Sequence, residues 1–194
     1  PFGSFEFLRM PFGLRNAAQT FQRLMDSVLR GLPFVFVYLD DVLVFSANKE
    51  DHKEHLKAVF DLLQRNHLFV NVGKCQFGRS SLEFLGHRVD RHGITPLPSK
   101  VEALQRFPKP DNVEAVMKFN GMVNFYHRFV PRASSILAPL YAAIKGKAKT
   151  AKVDWTPEMN AAFNDAKQAL ISATMLHHPR SGAKVSLTVD ASAV

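Results

Sequence analysis

The chain has 194 residues, 46% of them hydrophobic and 22% charged, a composition that suits one ordinary globular domain or two small ones with a sizeable core. No apolar run approaches the roughly 18 to 20 residues that span a bilayer, which argues against a membrane protein, and the single cysteine, Cys75, excludes an intramolecular disulfide or a cysteine-rich zinc site. The formal net charge of +8 favours a polyanionic partner such as nucleic acid, although a basic surface tuned for solubility gives the same balance.

Residues 1 to 14 are punctuated by glycine and proline and read as a strand or loop feeding a helix. Asn16 is a candidate N-cap, and Ala17, Phe21, Leu24, Met25 and Val28 then recur at helical spacing until Gly31-Leu32-Pro33 stops the helix. Phe34 to Phe45 is almost continuously apolar except for Asp40 and Asp41 at its centre, and its β-branched and aromatic content predicts two buried strands joined by a tight turn. Leu56, Val59, Phe60 and Leu63 mark an amphipathic helix from Glu50 to Gln64. Its His52 and His55 read as part of a solvated polar face rather than a metal cluster. Short strand-like pieces follow at 68 to 72, 75 to 77 and 82 to 89, split by Gly73, Gly78 and Gly86.

The character changes after Gly93, where Pro96, Pro98, Pro108 and Pro110 punctuate a mostly helical region. Helices are predicted near 99 to 106, 112 to 129, 134 to 145 and 157 to 172, with Gly146 to Lys152 as an exposed linker and Lys184 to Val189 as a last strand ending at Asp190. The fold class is α+β, with helices around an antiparallel sheet. Three regions are expected, at 1–93, 94–150 and 151–194.

The acidic pair is the most informative feature. Two carboxylates inside an apolar hairpin repel each other, and burying them without partners costs several kcal/mol each. A bound divalent cation offsets that cost, because hard cations prefer carboxylate oxygens. Two such ions can activate a 3′-hydroxyl and stabilise leaving pyrophosphate. Cys75 beside Lys74 lacks any identifiable general base and does not read as a nucleophile.

Tyr38-Leu39-Asp40-Asp41 resembles the Tyr-x-Asp-Asp motif of reverse transcriptases, and Met10 to Ala17 is similar to the Met-Pro-Phe-Gly-Leu-x-Asn-Ala signature of Gypsy-type long-terminal-repeat retrotransposons. Phe84-Leu85-Gly86-His87 resembles that family's primer-gripping hairpin, Asn124 to Phe129 its thumb helix, and Leu187 to Ser192 the opening strand of its ribonuclease H domain. One departure is visible: Ala18 stands where the family commonly has proline after Asn-Ala.

The resemblance implies a partial polymerase palm in 1–93, a helical thumb in 94–150, and connection plus the start of a ribonuclease H-like domain in 151–194. It implies an RNA-directed DNA polymerase, a nucleotidyltransferase of a retrotransposon Pol polyprotein, using Mg²⁺ (or Mn²⁺), deoxynucleoside triphosphates and a primed RNA or DNA template. Asp40 and Asp41 would be catalytic metal ligands, and Asp190 a metal ligand of the nuclease. Phe12, Gly13 and Tyr38 would line the nucleotide site, and Phe84, Leu85, Gly86, His87 and Arg128 would bind primer and template. The family's first palm carboxylate is expected upstream of residue 1, both ends of the chain reading as cuts through a longer Pol polyprotein. The family setting is cytoplasmic virus-like particles. The competing expectation is a non-catalytic nucleic-acid-binding remnant of a decayed or domesticated element that keeps the basic thumb.

Overall fold

The computed structural model describes residues 2–178 except 9, 12 and 174. The expected strand at 184–189 lies outside them, as do Phe12 and Asp190. The chain divides into two compact units, Pro1–Arg79 and Ser80–Val194.

In the first unit, the described residues up to Leu14 have no regular structure, and Phe2, Phe5, Phe7 and Leu8 are exposed. Helix α1 (Ala17–Val28) begins at Asn16, but the Asn16 side chain makes no capping bond, so the N-cap is positional only. Strands β1 (Val35–Tyr38) and β2 (Asp41–Val44) form the expected hairpin, with Val35 opposite Val44 and Val37 opposite Val42. Helix α2 (Lys49–Arg65) is capped by Asn48, whose side chain accepts from the Asp51 amide at 2.8 Å.

Met25, Val28 and Leu29 from α1 and its end pack with Val59 and Leu63 of α2. Val35, Val37, Val42 and Val44 close this core from the hairpin. Two buried strands were expected, but the hairpin is only half-buried, on the face that meets this core. Successive strand residues point to opposite faces, so Phe36 and Tyr38 turn outward and stay 52% exposed.

The pieces expected as strands at 68 to 72 and 75 to 77 are irregular apart from a 3₁₀ turn, Val72–Lys74. Strand propensity is realised only where a ladder partner exists, and none pairs with them among the described residues.

The second unit opens with an antiparallel meander, β3 (Ser81–Phe84), β4 (His87–Asp90) and β5 (Gly93–Pro96), joined at its edge by β6 (Leu176–His177). Gly93 lies opposite His177, and a Cβ there would fall 2.1 Å from the Leu176 carbonyl oxygen. Helices α3 (Pro98–Gln105), α4 (Val113–Phe125), α5 (Ala133–Ile144) and α6 (Pro157–Ile171) follow, close to their expected bounds. The helix expected at 112 to 129 stops at Phe125 and resumes as a 3₁₀ turn, His127–Phe129. Val116, Phe119 and Val123 of α4 are fully buried against Leu137 and Leu140 of α5 and Phe163, Ala166 and Leu170 of α6.

Gly146 to Lys152 is exposed as expected, with Ala151 half-buried, and its backbone is also tied to the start of α4. The first amides of a helix lack intrahelical acceptors, and here Val113 and Glu114 donate to the Ala151 and Lys149 carbonyls, both at 3.0 Å. Ala115 donates to the Asn112 side chain at 2.9 Å, which completes the cap of α4. Among the described residues no helix is long and apolar enough to cross a membrane.

Candidate active site and nucleic-acid interface

Tyr38 pairs with Asp41 across the hairpin, leaving Leu39 and Asp40 as a two-residue turn. Leu39 takes φ +51°, the left-handed region that a two-residue hairpin turn requires at its first position. That conformation costs an L-residue on the order of 1–2 kcal/mol. Gln22 of α1 holds it, accepting from the Leu39 amide at 2.6 Å and donating to the Val37 carbonyl at 3.2 Å.

Asp40 and Asp41 are both exposed. This overturns the expectation of carboxylates buried in an apolar hairpin, because the apolar side chains next to them alternate between core and solvent. Asp41 shares the outward face with Tyr38, opposite the core. Two adjacent, accessible carboxylates offer hard oxygen donors of the kind that suit Mg²⁺. Among the described residues no group of three His, Cys, Asp or Glu is placed to hold a metal ion. Gly13, expected at the nucleotide site, is an exposed turn residue at φ +90° with no atom within 4 Å of its Cβ position.

The residues expected at the primer sit in the second unit. Leu85 (φ +47°) and Gly86 (φ +77°) form the β3–β4 turn between Phe84 and His87. Tyr126, at the end of α4, donates its hydroxyl to the Gly86 carbonyl at 2.9 Å. A Cβ on Gly86 would lie 3.1 Å from the Phe125 ring, so this position needs glycine both for its backbone and for space.

His87 is not turned to solvent. Its ring lies 5.2 Å from that of Phe125 and 5.5 Å from those of Tyr126 and Phe129. Nδ1 meets the Leu85 carbonyl at 2.8 Å, while Nε2 is buried with no partner among the described residues. A carbonyl at Nδ1 requires that nitrogen to carry the proton, so Nε2 faces the aromatic box as a bare lone pair. Burial pushes the His87 pKa below its ordinary value; the Leu85 hydrogen bond opposes this and the nearby Arg128 charge adds to it. The structure thus brings the Phe84–His87 turn, Tyr126 and Arg128 together, and Arg128 is itself exposed.

His52 and His55 depart from the solvated face expected of them. Both Nδ1 atoms meet the Ser46 hydroxyl, at 3.0 and 2.7 Å, and His55 stacks on Phe34 at 3.6 Å. Since Ser46 can donate to only one of them, the other imidazole must donate to it. Gln22 and Tyr126 are the residues that sequence reasoning left without a role. Each acts on a backbone atom of a turn far along the chain, and local spacing carries no signal for that.

Residues 2–89 match the reverse transcriptase (RNA-dependent DNA polymerase) family, and residues 155–194 match the RNase H-like domain found in reverse transcriptase. The chain belongs to the reverse transcriptase family of Pol polyproteins from Gypsy-type long-terminal-repeat retrotransposons.

It is 37% identical over 194 residues to the retrovirus-related Pol polyprotein from transposon 297 of Drosophila melanogaster, covering 98% of this chain and 18% of that protein. It is 32% identical over 196 residues to the transposon Tf2-3 polyprotein of Schizosaccharomyces pombe, covering 100% of this chain and 14% of that one. The chain therefore spans less than a fifth of the length of these relatives. Among solved structures, the foamy viral protease-reverse transcriptase in complex with dsDNA superposes with a TM-score of 0.77 at 25% identity, covering 90% of this chain and 36% of that one. The same enzyme in complex with RNA/DNA hybrid gives 0.77 at 26% identity, covering 87% and 23%.

Proposed function

We propose that this chain carries the palm turn, primer hairpin and thumb of an RNA-directed DNA polymerase that extends a primer on an RNA or DNA template from deoxynucleoside triphosphates. In this reaction the primer 3′-hydroxyl attacks the α-phosphorus of the incoming nucleotide. A P–O bond forms, the bond to pyrophosphate breaks, and the hydroxyl proton is lost. The observation that carries the reading is the pair of exposed carboxylates, Asp40 and Asp41, at the tip of a hairpin braced from behind.

Asp40 and Asp41 are the ligands for Mg²⁺ (or Mn²⁺), which when bound supplies charge stabilisation at the transferred phosphoryl group. Tyr38 shares the face of Asp41 and presents its ring to the primer terminus or nucleotide, a role the family resemblance gives to Phe12 and Gly13 as well. The Phe84–His87 turn offers the primer its backbone outline and Arg128 a guanidinium for a phosphate. His87 acts here through the shape of the turn, because its own polar edge is enclosed. Asp190 keeps the role of a nuclease metal ligand that its motif implies. The setting is a Pol polyprotein in cytoplasmic virus-like particles.

The test is primer extension by the polymerase with its complete palm. Asp40→Asn and Asp41→Asn should each abolish incorporation while primer–template affinity is kept, since a lost ligand removes several kcal/mol of transition-state stabilisation. Retention of more than about a tenth of parent activity, a loss below roughly 1.4 kcal/mol, sinks the assignment.

A further inference from the structure

We propose that Gln22 is a positioning residue for the catalytic turn, its side-chain amide standing in for the N–H and C=O that one residue of a neighbouring strand would offer on the free edge of β1, which pairs only with β2 among the described residues. The inference rests on the polymerase reading above and goes beyond it to how the turn is held. On a strand, the carbonyl of one residue and the amide of the residue two further on point to the same side, and a neighbouring strand binds both. Gln22 binds this very pair on the edge of β1: it donates to the Val37 carbonyl at 3.2 Å and accepts from the Leu39 amide at 2.6 Å.

Its Nε2 also donates to Asp26 one helical turn further on, at 2.8 Å. That bond sets the sense of the amide, because the flipped orientation would put oxygen against the Asp26 carboxylate and NH₂ against the Leu39 amide. Glutamine is the side chain that fits. Glutamate lacks the donors, and asparagine is one methylene shorter.

The consequence lies at Leu39, which stands at φ +51° immediately before Asp40. The dihedrals of Leu39 decide where Asp40 points relative to Asp41. Neither carboxylate is packed, and among the described residues no hydrogen bond or ion pair restrains either side chain. Backbone rigidity is thus the means left to fix their separation, and Gln22 supplies it.

The experiment uses the polymerase with its complete palm, comparing the parent with Gln22→Met, Gln22→Met/Leu39→Gly and Asp40→Asn. Gln22→Met should lower kcat at least about tenfold while KM for the nucleotide moves less than about threefold, the signature of lost alignment rather than lost binding. Glycine enters the left-handed region freely, so Leu39→Gly in the Gln22→Met background should regain at least about threefold in kcat. A purely structural role would not give that recovery. In the unaltered protein the Leu39 amide should exchange its hydrogen at least about tenfold more slowly than an unbonded turn amide. This measurement serves even if Gln22→Met does not fold.

Fast exchange at Leu39 overturns the proposal. So does a Gln22→Met kcat within about tenfold of the parent, or a loss that Leu39→Gly does not relieve. These failures leave Asp40→Asn inactive; activity surviving Asp40→Asn instead overturns the site reading itself.

Discussion

Gly86→Ala tests whether the β3–β4 turn is locked to the end of α4 as the structure shows it. Two costs add at this position. The backbone stands at φ +77°, where an L-residue loses on the order of 1–2 kcal/mol relative to glycine. The new methyl would also sit 3.1 Å from two atoms of the Phe125 ring, tighter than ordinary contact. The ring, itself half-exposed, must give by a few tenths of an ångström at the expense of its stack on His87, a pairing of about 0.5–1.5 kcal/mol. The total is about 1.5–3.5 kcal/mol, which for a unit of this size lowers Tm by roughly 5–20 °C.

Gly146→Ala is the control, because Gly146 has φ +74° and nothing within 4 Å of its Cβ position. It should show the backbone cost alone, about 1–2 kcal/mol. The assay is thermal unfolding followed by fluorescence of Trp155, the only tryptophan in the chain, which lies against Phe163 in the helical core. Primer–template affinity of the longer polymerase is measured in parallel. Equal losses for the two variants would refute the contact between Gly86 and Phe125, and an unchanged Tm for both would refute the turn geometry itself.

If the exposed Lys118, Arg128, Arg132 and Lys145 track a phosphate backbone, log K for primer–template should fall with log salt at a slope of about −3 to −4, the value for about four contacts. A flat profile would mean that the +8 charge serves only solubility. His87, whose folded pKa lies below its ordinary value of 6.5, should make stability depend on pH. Its contribution is fully present above that value and is lost as pH falls toward the folded pKa, because the unfolded chain takes up the proton first. The urea midpoint read by Trp155 should therefore drop further between pH 7.5 and pH 5 for the parent than for His87→Phe, and identical pH slopes would remove His87 as the cause.

The helices from Ala17 to Ile171 were legible in the sequence because each carries an apolar face at helical spacing and most have a recognisable stop. The turn at Asp40 and Asp41 was legible as a position but not as an environment. Phe34 to Phe45 is so continuously apolar that its period-2 alternation is masked, and the sequence alone suggests two buried strands. Only the pairing of Val35 with Val44 and Val37 with Val42 sorts the valines inward and Phe36, Tyr38 and Asp41 outward.

The Gly146 to Lys152 segment was legible only in part, for a different reason. Its lysines describe its side chains, whereas its structural work is done by the carbonyls of Lys149 and Ala151 at the start of α4. Gln22 and Tyr126 were invisible for the same physical reason. Their partners are the backbone atoms of Leu39 and Gly86, and backbone atoms leave no trace in residue identity.

The exposure of Asp40 and Asp41 changes the argument for a cation. If the pair were buried, folding itself would demand a counter-ion, because isolated charges in an apolar interior cost several kcal/mol each. At an exposed turn the repulsion between two unit charges about 4 Å apart is only about 1 kcal/mol in water. The turn can therefore form without a metal to neutralise it. What the fold must supply is a fixed separation between two mobile side chains, which depends on the Leu39 backbone and hence on Gln22. An accessible pair with no third acidic or imidazole ligand nearby, among the described residues, is also suited to metal that arrives with a nucleotide, since Mg²⁺ is commonly held by one or two carboxylates together with substrate phosphates. The same accessibility that removes the folding argument for the metal thus supports the catalytic one.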